Sequence, residues 1–312
     1  MPTGLNNPYP TISKMTPRIF LSMPYYGAFP NYFQLYLDSV EKNRDILTIL
    51  IMTDIDTSSY KIPDNVKIVC MTIDDVRERA KQMLKTMFDR SADTKELITT
   101  PYKLVDFKVT FPIMFEDHLR IQGATEKDYV GWGDCDLIYG KLTNFLHLNQ
   151  NYDILGGYHG HFTAIRNLPS HTLFFKEVPN FANLCLDNRR VHITDEIACR
   201  STIVNLKKNG WKMFHTNAHF CDIVPPVFFH LFRSDHKERA RNFFDVYNAQ
   251  KDIKDLWYHP DGSLTVYYED GTQRDALYCH LQKRAMVLPF SESKDGYWIK
   301  ENAFAMNAER VL

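Results

Sequence analysis

The sequence predicts an α/β fold, a mostly parallel sheet flanked by helices with a smaller β-rich C-terminal elaboration. Three observations carry this expectation. Short apolar runs bounded by turn residues alternate with segments of helical spacing through the first half of the chain. After about residue 210 the pattern becomes β-like. The length of 312 residues suits one large core, since single cores stop growing near roughly 250–300 residues.

Taken in order, RIFLSM (18–23) and DILTILIMTD (45–54) read as strands. Between them NYFQLYLDSVEKN places Phe33, Tyr36, Leu37 and Val40 on one helical face. VKIVCM (66–71) is a third strand and IDDVRERAKQMLKTMF (73–88) a charged amphipathic helix. This order is how an α/β domain begins. PYKLVDFKVTFPIMFEDHLR (101–120) reads as helical from Lys103, bent or split by Pro112. YVGWGD is the fourth strand, and KLTNFLHL a short helix. DILGGY (153–158) and HFTAIR (161–166) read as strands joined at His159-Gly160. VHITDEIACRSTIVNL (191–206) reads as a helix with Thr194 as N-cap. WKMFH, SLTVYYEDG and ALYCHL follow as strands, with YEDGTQ (268–273) a hairpin turn. Trp132 and Trp211 read as core. No repeat or long linker divides the chain, so a single domain is expected over 1–312.

Composition narrows the function. Lys+Arg 37 against Asp+Glu 38 gives a formal net charge of -1, which carries no generic signal for nucleic acid. The six cysteines include no Cys-x-x-Cys pair and most sit inside apolar runs, so zinc is not expected and reduced core thiols are. The first residues lack a secretory layout, and no apolar run nears the ~20 residues of a membrane span. A soluble, cytoplasmic protein without an integral membrane segment is the expectation.

The chemistry gathers at Asp134-Cys135-Asp136, directly after an apolar run. In α/β sheets ligands bind at the carboxyl ends of strands. Carboxylates are the ligands Mg²⁺ and Mn²⁺ prefer, and two acids with one spacer can reach one ion or its water from a turn. Alone the pattern is weak, because Asp-x-Asp also merely ends strands. Cys135 reads as pointing away, since a thiolate beside two carboxylates is electrostatically costly.

The ordered set PYKLVDFKVTFPIMFEDHL, YVGWGDCDLIYGKL, GHFTAIRN and LYCHLQKR resembles a family of glycosyltransferases from polysaccharide-synthesis gene clusters. The resemblance covers roughly residues 18 to 285 and departs in having Asp134 where Cys or Tyr is expected. It implies a Rossmann-like GT-A fold, with a nucleotide-sugar-binding half at 18–140 and an acceptor half at 141–290, flanked by an N-terminal extension (1–17) and a tail (291–312). It also implies a nucleotide-sugar donor, a UDP-sugar first among them, and a glycan or glycoconjugate acceptor. Asp134 and Asp136 become ligands of Mn²⁺ or Mg²⁺, with Asp136 the surer and His280 completing the set. Tyr25 and Tyr26 are candidates to flank the base. Tyr102, Lys103 and Asp106 are candidates for the nucleotide, and Lys283 and Arg284 for the diphosphate.

Asp195 and Glu196 are the candidate catalytic base, although helix capping explains the same pair. Gly157, His159 and His161 read either as an acceptor pocket or as a tight hairpin. Two other classes stay open. One is another phosphate-handling enzyme such as a nucleotidyltransferase; a phosphatase is disfavoured because RIFLSMPYYG lacks an Asp nucleophile. The other is a non-catalytic carbohydrate-binding protein.

Overall fold

The computed structural model describes residues 16–156, 159–216, 219–222, 244–245, 253–282, 285–288, 295–300 and 303–306. Four strands, β1 (Ile19–Pro24), β2 (Leu47–Thr53), β3 (Val66–Cys70) and β4 (Tyr129–Gly133), run parallel in the order β3-β2-β1-β4. With β5 (Leu137–Tyr139) set aside, β6 (Ile154–Gly156), β7 (Phe162–Arg166) and β8 (Met213–His215) extend this sheet beyond β4. There β7 is antiparallel to both β4 and β6, and β6 is parallel to β8.

The continuous apolar runs follow from burial on both faces. In β1, Phe20 enters one core while Ile19, Leu21 and Met23 enter the other. In β2, Leu50 and Met52 share the side of Phe20, and Ile49 and Ile51 the opposite side. Helix α1 (Phe33–Glu41) covers the second core through Phe33, Tyr36, Leu37 and Val40. Helix α2 (Ile73–Phe88) covers the first through Val76, Ala80, Met83 and Leu84. It starts where predicted, on a reciprocal cap between Thr72 and Asp75. Trp132 is core, stacked on Phe174, and Trp211 is partly buried beside the same core.

The β-rich C-terminal region forms two further sheets. The smaller joins β9 (Phe220–Asp222), β10 (Phe244–Asp245) and β14 (Tyr278–His280) to β5, in the order β10-β9-β14-β5. The larger is antiparallel: β11 (Ile253–Tyr258), β12 (Leu264–Tyr268) and β13 (Gln273–Asp275), with β15 (Tyr297–Ile299) and β16 (Phe304–Met306). Its apolar side packs with Tyr32 and Leu35, so α1 is shared between two cores. The predicted turn at 268–273 is present, with Gly271 N donating to Tyr268 O.

Three local expectations are corrected. Residues 101–120 are helical and divided, as expected, but the first part, Pro101–Thr110, is 3₁₀ and starts before Lys103, and it is followed by the short helices Phe111–Met114 and Glu116–Ile121. Pro112 lacks the N–H an uninterrupted helix would need. KLTNFLHL supplies only two 3₁₀ turns, Leu142–Asn144 and Leu148–Gln150. Thr194 is no N-cap; it opens a π turn, Thr194–Ala198, closed by Cys199 N to Thr194 O at 2.9 Å, and the helix proper is Arg200–Lys208. Its hydroxyl is drawn off to Asp106 O at 2.9 Å.

Candidate active site

The carboxyl ends of β1 and β4 meet the start of β7 and the end of β14, and that junction gathers the chemistry. Asp134 N donates to His161 O at 3.0 Å, which ties the end of β4 to the start of β7. Leu281 N donates to Asp136 O at 2.8 Å, which continues the antiparallel β14–β5 ladder and delivers His280. His280 Nε2 then lies 3.3 Å from Asp136 Oδ2. Asp134, Asp136 and His280 each present a ligand atom within 4.8 Å of the others.

Two carboxylates and an imidazole suit Mn²⁺, and the carboxylates suit Mg²⁺. The 3.3 Å between His280 and Asp136 is close to the ~3.0 Å that separates adjacent ligands of an ion bound at ~2.1 Å. Gln282 Nε2 lies 3.2 Å from His280 Nδ1. With its amide turned over, Gln282 would accept from Nδ1–H and leave the Nε2 lone pair for an ion.

Lys108 occupies the other side of Asp134. Its Nζ lies 2.9 and 3.0 Å from the two oxygens of Asp134, 3.2 Å from Asp195 Oδ2 and 3.4 Å from Gly160 O. Burial alone would depress the Lys108 pKa, but the charges of Asp134 and Asp195 outweigh it and hold the ammonium protonated. Asp195 is fully buried, and that burial pushes its carboxyl up to about 7; Lys108 opposes the shift, while Glu196 and Asp134 add to it.

The two acids expected as one candidate therefore separate. The Asp195 side chain is 0% exposed, whereas that of Glu196 is 32% exposed. Glu196 Oε1 accepts from Gly160 N at 3.1 Å and lies 3.9 Å from His161 Nε2. Consecutive residues of the turn thus point into different surroundings, Asp195 toward Lys108 and Glu196 toward Gly160 and His161. Gly160 is required by space: a Cβ there would lie 1.7 Å from Asp195 Oδ2.

His159 and His161 face this same junction, with ring centroids 5.5 Å apart, and the ring of His161 lies 3.6 Å from that of His280. Burial first, then the neighbouring His280, His159 and Lys108, holds the His161 pKa well below the usual imidazole range. Tyr25 follows β1 and stacks on Phe29 at 5.1 Å. Burial raises its phenol pKa, and Cys135, Asp136 and Asp134 raise it further, which places the ring beside the acidic motif. Cys135 itself is buried in the core.

Other expectations change. Lys103 does not reach toward a phosphate: it is 2% exposed, and its Nζ is held by Asp106 Oδ2 at 2.6 Å and by the carbonyls of Leu184, Asp187 and Arg190. Asp106 is equally committed, accepting from His192 N at 2.8 Å. The pair instead positions the segment that leads into Asp195 and Glu196. Tyr26 donates to the carbonyls of Met71 and Thr72, 3.1 and 3.2 Å away, and so ties two strand-end loops together. Tyr102 stands 59% exposed. Gly157, Lys283 and Arg284 lie outside the described residues.

Lys108 is the residue that sequence reasoning missed. Its signal was present: a lone charge in the apolar run Phe107–Val109, in the same motif as Lys103.

Among the described residues, no helix is long and apolar enough to cross a membrane. No curated protein and no solved structure matches the chain. Residues 21–308 match the family of unknown function DUF6625, a span covering most of the 312 residues, and the chain belongs to that family.

Proposed function

We propose that the chain is a metal-dependent glycosyltransferase with a GT-A-type fold, moving a sugar from a nucleotide-sugar donor to a glycan or glycoconjugate acceptor. The observation that carries this reading is the convergence of Asp134, Asp136 and His280 at the carboxyl end of a mostly parallel sheet. Asp136 and His280, with Asp134, would hold Mn²⁺ or Mg²⁺, and such an ion neutralises the charge that develops on a departing diphosphate.

The chain's own residues divide the remaining work. Tyr25, at the tip of β1, offers an aromatic face to the donor on the side of Asp136. Glu196, the more exposed acid, serves as base. The acceptor oxygen attacks the anomeric carbon, the carbon–oxygen bond to the diphosphate breaks, and the acceptor proton passes to Glu196. Such direct displacement inverts the anomeric configuration. Asp195 and Lys108 are positioning residues that hold Asp134 and the Gly160 turn in place.

The test is nucleotide release from a panel of nucleotide sugars with Mn²⁺, with and without EDTA. Asp136→Ala should abolish release and leave the circular dichroism spectrum unchanged. Full activity in that variant, or in EDTA, would overturn the metal role. No release from any donor, together with glycan binding, would favour a carbohydrate-binding protein instead.

A further inference from the structure

Beside the Asp134–Asp136–His280 group lies a second one that shares none of its residues. His159, His161 and Glu196 each present a ligand atom, all within 4.8 Å of one another. The first group offers two oxygens and one nitrogen, and this one two nitrogens and one oxygen. The rings of His161 and His280, 3.6 Å apart, form the wall between them.

Two further observations point to a ligand there. His161 is only 6% exposed, yet its Nδ1 is buried with no hydrogen-bond partner among the described residues. Its Nε2 faces Glu196 Oε1 at 3.9 Å, beyond hydrogen-bond reach. The nitrogen turned toward Glu196 thus makes no hydrogen bond and is open to an ion, whereas Nδ1, the other ring nitrogen, cannot reach the same ion. Glu196, in turn, is fixed: Gly160 N holds the same Oε1 at 3.1 Å. The turn through Gly160 therefore presents two histidines, one on each side, to a carboxylate that its own amide holds in place.

We propose that His159, His161 and Glu196 form a second divalent-cation site, one that takes a nitrogen-preferring ion such as Zn²⁺ in preference to Mg²⁺. Two imidazoles and a carboxylate are a known zinc ligand set, bound at ~2.0–2.2 Å with an open fourth position. Tetrahedral neighbours at that bond length sit ~3.4 Å apart, so the 3.9 Å between His161 and Glu196 closes with a small side-chain movement. Imidazole nitrogens favour Zn²⁺, while Mg²⁺ keeps to oxygen ligands. Binding at this site does not depend on the transferase reading. Where that reading holds, a filled site engages Glu196 and withdraws the base.

The test is metal binding, measured by equilibrium dialysis of chelator-stripped full-length protein against Zn²⁺ in excess Mg²⁺, with metal analysis of the retained ion. Wild type should retain one Zn²⁺ per chain. His159→Ala and Glu196→Gln should each lower Zn²⁺ affinity by more than about tenfold. Both should keep the Mn²⁺-induced rise in Tm, which also shows that they fold. Asp136→Asn should do the reverse, losing the Mn²⁺ response and keeping Zn²⁺. Absence of retained Zn²⁺ in wild type would overturn the proposal. So would Zn²⁺ that is lost in Asp136→Asn and unaffected by either His159→Ala or Glu196→Gln.

Discussion

Gly160 and Asp195 approach so closely that no side chain fits between them: a Cβ on the glycine would lie 1.7 Å from the carboxylate oxygen. Gly160→Ala must therefore push Asp195 away from Lys108 or shift the turn that carries His159 and His161. Overpacking of this kind costs about 1–3 kcal/mol. Urea denaturation should show that loss, and a variant as stable as wild type would mean the contact is not tight.

The two lysines of the PYKLVDFKV segment should behave differently when replaced by methionine. Lys103→Met leaves Asp106 buried without its partner, which costs about 3–5 kcal/mol. Lys108→Met removes the cation lodged against Asp134, so stability without metal should fall while Mn²⁺ affinity rises. The readout is the Mn²⁺-induced change in Tm, larger in Lys108→Met than in wild type. A smaller change would show that Lys108 is needed to orient Asp134.

Asp195 makes stability depend on pH in a direction that can be worked out. Burial raises its carboxyl pKa from 3.8 to about 7, so the proton is bound more tightly in the folded chain than in the unfolded one. The stabilisation this gives is complete below about pH 4 and is lost as pH rises through about 7. Asn has no proton to lose. Asp195→Asn should therefore gain on wild type between pH 4 and pH 8, by at most about 4 kcal/mol at ~1.4 kcal/mol per pKa unit. Parallel stability curves across that range would refute the assignment.

None of the six cysteines forms a disulfide, and only Cys70 is exposed. A thiol reagent such as DTNB should titrate one thiol quickly in the native protein and six in denaturant. Two or more fast thiols in the native state would contradict the burial of Cys135 and its neighbours.

How much of this was legible in the sequence depended on period. The four parallel strands read correctly because both faces of the sheet are buried, which makes Ile19–Pro24 and Leu47–Thr53 continuous apolar runs, whereas the short strands Leu137–Tyr139 and Ile253–Tyr258 were not read. The Asp134–Asp136 pair read correctly as a strand-end feature, since Gly133 does end β4. Pro101–Thr110 read as helical, but the sequence did not reveal that the chain there adopts three residues per turn. At that period Lys103 and Asp106 eclipse and pair with each other, and Lys108 turns to a different face. The separate surroundings of Asp195 and Glu196 were equally hidden, since a π turn has no compositional signature to distinguish it from an ordinary helix start.

His280 reaches Asp136 only through the pairing of β14 with β5, a contact between distant parts of the chain. During synthesis the strands that carry Asp134 and Asp136 are complete long before His280 has been made. The ligand set can close only once the C-terminal strand has docked, and such non-local pairing is slow to form. On the proposed metal reading, ion capture waits for this docking, which makes metal uptake a reporter of it.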